Sequence, residues 1–85
     1  MGRKEVSKKV KAYLRDRGSL EPVKGKTVEE MDLINDVGLD SIDVMELQVW
    51  MEKTFSIKVE YLEFYSTVQT VGDVVDFVWK RQSNS

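Results

Sequence analysis

Eighty-five residues with 13 Lys/Arg, 15 Asp/Glu and a formal charge of −2 make one small globular domain, with room for a single core shared by three or four helices. The chain has neither cysteine nor histidine, which excludes disulfides, a thiolate nucleophile, the usual neutral-pH base and the commonest metal ligand. Charge is uneven: residues 1–26 carry nine Lys/Arg and three Asp/Glu, a net of +6, whereas residues 27–85 carry four and twelve, a net of −8.

No apolar run approaches the roughly 18 residues that span a bilayer, and the N-terminus lacks the apolar stretch of a secretion signal. A cytoplasmic chain with no transmembrane segment is therefore expected. Val6, Val10, Tyr13 and Leu14 share one face of a first helix over 3–17, stopped by Gly18. A long connection follows, which Leu20, Val23, Val28, Met31, Leu33, Ile34 and Val37 can pin to a core, with Thr27 and Glu30 spaced as a capping box. Asp40 is a natural N-cap for a second helix over 41–55. That helix presents Val44, Leu47, Trp50, Met51, Thr54 and Phe55 on one face and a surplus apolar stripe, Ile42, Met45 and Val49, on the other. Ile57 and Val59 read as extended. A short third helix over 60–66 and a last helix over 70–81 complete a small all-α four-helix bundle, the last helix capped by Thr70 with Asp73 and buried through Val71, Val74, Val75 and Val78. Residues 82–85 should fray.

The segment Gly38-Leu39-Asp40-Ser41-Ile42 carries the chemistry. Glycine permits a tight reversal, Asp40 caps, and Ser41 falls at the helix start with its hydroxyl outward. A phosphoryl group on that hydroxyl would lie over unpaired N–H groups at the positive end of the helix dipole.

This segment resembles the Gly-x-Asp-Ser-Leu/Ile pattern of acyl carrier proteins, the phosphopantetheine-bearing modules of fatty acid and polyketide synthesis. Leu33-Ile34-Asn35-Asp36-Val37 upstream, Asp43, Glu46, Leu47, Phe55 and Ile57-Lys58-Val59 downstream, and Thr70 to Val78 resemble the same family. The likeness implies a non-catalytic carrier with no metal site of its own. Its Ser41 would receive 4′-phosphopantetheine from coenzyme A through a phosphopantetheinyl transferase that uses Mg²⁺, and the arm's thiol would hold acyl cargo. It implies a monomer, with acyl-loading and acyl-using synthases or transferases as partners.

The surplus stripe beside Ser41 then fits docking: Ile42, Met45 and Val49, with Asp43, Glu46 and Glu52 as an acidic rim for basic partner grooves. Leu47, Trp50, Met51 and Phe64 are the expected acyl pocket, with the large Trp50 narrowing or redirecting it. Four features depart from the family: the first helix is strongly basic, Lys53 stands where a carboxylate is usual, Trp50 fills a site expected to be small, and one extra residue lies between Phe55 and the last helix. A peptidyl or other specialised carrier remains the alternative, as does, more remotely, a helical interaction or nucleic-acid-binding domain using the basic helix. Asp36, Asp40 and Asp43 lack the alternation of an EF-hand loop.

Overall fold

Val6, Val10 and Leu14 are fully buried along one face of α1 (Arg3–Arg17), as their i, i+4, i+8 spacing requires. The computed structural model describes residues 2–83. In that span α1 is followed by a 3₁₀ turn at Val28–Glu30, then by α2 (Ser41–Phe55), α3 (Tyr61–Thr67) and α4 (Val71–Ser83), an all-α bundle. The last helix runs past the expected limit at residue 81, so Gln82 is helical, while residues 84–85 of the expected frayed tail lie outside the described residues. The third helix starts one residue later than its spacing predicts.

Gly18 ends α1 by a different device from the left-handed cap that glycine usually supplies. Its backbone is extended, and a Cβ there would lie 2.3 Å from the Val37 carbonyl oxygen. The same carbonyl accepts from Ser19 N–H at 3.0 Å, so glycine is needed for close approach and not for its φ.

The connection from 18 to 40 is held from within. Leu20, Met31, Leu33, Val37 and Leu39 are buried, whereas Val23 and Ile34, expected as pins, are exposed. Pro22 and Gly25 carry the chain over the surface, which leaves Val23 no wall to pack against. Leu33 N–H donates to the Gln69 carbonyl at 2.9 Å and Val71 N–H to that of Met31 at 3.0 Å, tying this loop to the start of α4. Both expected boxes form. Thr27 N–H donates to Glu30 Oε1 at 2.9 Å, while Thr70 and Asp73 exchange bonds of 3.1 Å each way.

Ionic contacts close the frame. Arg3 donates to Asp76 at 2.9 Å and to Glu29 at 2.8 Å, joining α1, the 3₁₀ turn and α4. The Arg3 hydrogen bond holds the Glu29 carboxyl below its ordinary range. No helix among the described residues is long and apolar enough to cross a membrane.

Candidate functional site

The entry to α2 is fixed on both sides of Ser41. Upstream, Gly38 takes φ +92°, a conformation side-chain-bearing residues rarely adopt, and turns the chain so that Leu39 drops into the core. Leu39 N–H donates to the Leu33 carbonyl at 2.9 Å. Downstream, Asp40 Oδ1 accepts from Asp43 N–H at 2.8 Å and Asp43 Oδ2 accepts from Asp40 N–H at 3.1 Å, a reciprocal box. Ser41 is the first helical residue and is exposed. None of the hydrogen bonds among the described residues uses the N–H of Ser41 or Ile42. The first turn therefore offers an outward hydroxyl above two uncommitted donors at the positive end of a 15-residue helix. Just upstream, Lys26 donates to Asp36 at 2.7 Å, holding that carboxyl low and pushing the ammonium up.

From Ser41 the outward stripe runs down α2 as the spacing predicts: Ile42 is 65%, Met45 52% and Val49 49% exposed. These side chains, with Tyr13, Trp50 and Lys53, line a groove of about 560 Å³ between α1 and α2. Its rim is less acidic than expected. Arg17 lies 3.2 Å from Glu46, and Glu52 turns inward, where its Oε2 accepts from Val59 N–H at 3.1 Å. Burial pushes the Tyr13 hydroxyl up, since its ring stacks on Trp50 at 4.3 Å.

The span 19–78, which contains Ser41 and all of α2, matches the family described as "Phosphopantetheine attachment site". Three relatives named "Acyl carrier protein" extend the match. That of Thermotoga maritima is 32% identical over 79 residues, covering 93% of this chain and 94% of the relative. Those of Thermosynechococcus vestitus and Amoebophilus asiaticus are 35% and 32% identical, covering 92% and 91% of this chain and 93% and 92% of theirs. The chain belongs to the acyl carrier protein family. The prosthetic group of acyl carrier proteins is 4′-phosphopantetheine, and the start of α2 fits it: an exposed serine for a phosphodiester, beside two N–H groups that no acceptor among the described residues uses. No cluster of three metal-ligating side chains occurs among the described residues.

Acyl carrier proteins need space for cargo. Leu47, Met51 and Phe64 are buried in the core, and Trp50, half-buried against that core and edge-on to Phe55 at 5.4 Å, stacks on Tyr13 of α1. At 80° from Ile42 on the helical wheel Trp50 stands at the edge of the apolar face, so either side was open to it. A second opening, a cleft of about 340 Å³ between the long loop, α2 and α3, is lined by Leu33, Ile34, Val44, Tyr65 and Val68 among others, Val44 standing three residues after Ser41. Sequence reasoning also missed Gln48, which is 6% exposed on the core side of α2. Its position, four residues after Val44 and seven before Phe55, was the available signal.

Proposed function

We propose that Ser41 Oγ bears the 4′-phosphopantetheine arm and that the chain ferries acyl groups in fatty acid, polyketide or related lipid biosynthesis. The observation that carries this is the exposed hydroxyl at the first residue of α2, held by Gly38 and by the Asp40–Asp43 box above two uncommitted N–H groups. In the loading step Ser41 Oγ attacks the pantetheine-bearing phosphorus of coenzyme A. The bond to the adenosine bisphosphate leaving group breaks, and the hydroxyl proton passes to a base. That base belongs to the phosphopantetheinyl transferase, because this chain has no histidine and the nearest carboxylates, Asp40 and Asp43, are engaged in capping. Once bound, the group supplies the thiol that a cysteine-free chain lacks and carries the acyl group as a thioester.

Everything else falls to the protein's own residues. Gly38, Asp40 and Ile42 present the hydroxyl, and Ile42, Met45 and Val49 form an apolar strip for transferases and synthases with basic docking surfaces, which Asp43 and the Arg17-shared Glu46 meet at the edge. The chain makes and breaks no bond in its cargo, and works as a cytoplasmic monomer. Intact-mass measurement after incubation with coenzyme A and a broad-specificity phosphopantetheinyl transferase tests this. Wild type gains one arm and Ser41→Ala none; an arm on Ser41→Ala overturns the assignment.

A further inference from the structure

Gln48 is one of two polar residues among the buried side chains of the described residues, and its amide Nε2 has no hydrogen-bond partner. A buried, unpaired amide is costly, and an apolar residue of the same volume would avoid that cost. Its place in the fold gives a reason for keeping it. Val44, one turn before Gln48 on α2, lines the cleft together with Tyr65, near the end of α3. Glu52, one turn after, accepts from Val59 N–H just ahead of α3. Gln48 lies midway between these two contacts on the same face of α2, one turn beyond the Val44 that lines the cleft and not itself part of that lining. Helix α3 is the most lightly held in the bundle: seven residues, with Phe64 its one buried side chain and Tyr61, Leu62 and Tyr65 exposed.

We propose that Gln48 is a specificity-determining residue whose amide N–H donates to an oxygen on the carried acyl chain, so that this carrier shelters oxygenated chains in preference to saturated ones. The inference rests on the carrier function proposed above. A chain entering beside Val44 reaches Gln48 after one helical turn, about 5 Å, which places the oxygen within its first few carbons. A β-hydroxy or β-oxo acyl group meets that requirement; both present an acceptor, and a saturated chain presents none. A saturated chain in the same place would leave the amide unpaired.

The test uses the full chain bearing the arm, loaded with octanoyl, β-hydroxyoctanoyl or β-oxooctanoyl groups through a hydrolysis-resistant amide linkage, with loading checked by intact mass. The Gln48 side-chain amide signals in ¹⁵N–¹H spectra should shift and gain exchange protection with the two oxygenated chains and not with octanoyl. The better oxygenated form should melt ~4 °C or more above the octanoyl form, the shift one added hydrogen bond gives in a domain of this size. In Gln48→Leu, an apolar replacement of similar volume that folds without an unpaired amide, this difference should vanish. Equal melting of all three forms, a difference that survives Gln48→Leu, or Gln48 signals blind to the oxygen overturns the proposal alone. A chain that refuses the arm overturns the carrier function, and this inference with it.

Discussion

Gly18 and Gly38 flank the long loop and are glycine for unlike reasons, which separates their predicted effects. At Gly18 an added Cβ meets the Val37 carbonyl oxygen at 2.3 Å and threatens the Ser19-to-Val37 bond. Gly18→Ala should lose about 1–3 kcal/mol of stability in urea denaturation while Ser41 loads at close to the wild-type rate at permissive temperature. At Gly38 nothing obstructs a Cβ, but φ +92° does. Gly38→Ala should cost about 1–2 kcal/mol and also slow loading several-fold, because the strain is relieved by moving the residue that precedes the cap. Equal loading rates for the two variants would contradict this division. The pattern around Ser41 was legible in the sequence because its parts are local: a turn residue, a capping pair and a hydroxyl at fixed offsets. Gly18 was legible as a stop, but not the reason for it, since the Val37 carbonyl approaches from 19 residues away.

The limits of α1 and α2 followed from caps and periodicity, both written into neighbouring residues, whereas those of α3 and α4 shifted by one or two residues. What could not be read was the direction from which α3 covers α2. Gln48 drew no reading from the sequence, and the stacking of Trp50 on Tyr13 depends on how α1 packs beside α2. One detail of α2 gives a further test. Its C-cap, Ser56, is left-handed at φ 53°, where glycine is the favoured residue. Ser56→Gly should raise the melting temperature, by a stabilisation of up to about 1 kcal/mol; a fall would show that the serine side chain holds the cap. On the opposite face, Met45→Glu puts a charge into the exposed strip without touching the core. It should leave the melting temperature within error and slow transfer by the transferase several-fold, which steady-state kinetics measures. Unchanged kinetics would remove this strip from the docking surface.

Across the whole molecule, the uneven charge of the sequence becomes a set of ties between its two parts. Arg3 with Glu29 and Asp76, Lys11 with Glu29, Arg17 with Glu46 and Lys26 with Asp36 each join residues 1–26 to residues 27–85. Part of the basic first helix is thus explained as internal complementarity, although Lys4, Lys8, Lys9 and Arg15 make no ion pair among the described residues. Composition showed the imbalance; only the packed helices show which charges meet. Glu29, beside Arg3, Glu30, which accepts from the Thr27 N–H, and Asp36, beside Lys26, are all held below the ordinary carboxylate range. Their stabilisation is complete above the unfolded carboxylate pKa, near 4, and is lost as pH falls through the lowered folded values. Lys26, pushed up, contributes below the unfolded lysine value and loses that contribution only at strongly alkaline pH. Thermal melts should therefore hold level from pH 8 to about 5 and fall modestly below about 4, since these pairs are partly exposed. A flat profile down to pH 3 would show these pairs to be idle.

The most direct measurement is fragmentation mass spectrometry of the wild-type chain after one round of transfer from coenzyme A, locating the added group by residue. The added mass should sit on Ser41 and nowhere else. Its appearance on another hydroxyl, such as Ser19 or Ser56, or a chain left unmodified by several transferases, would contradict the claim that the start of α2 is built to hold the arm.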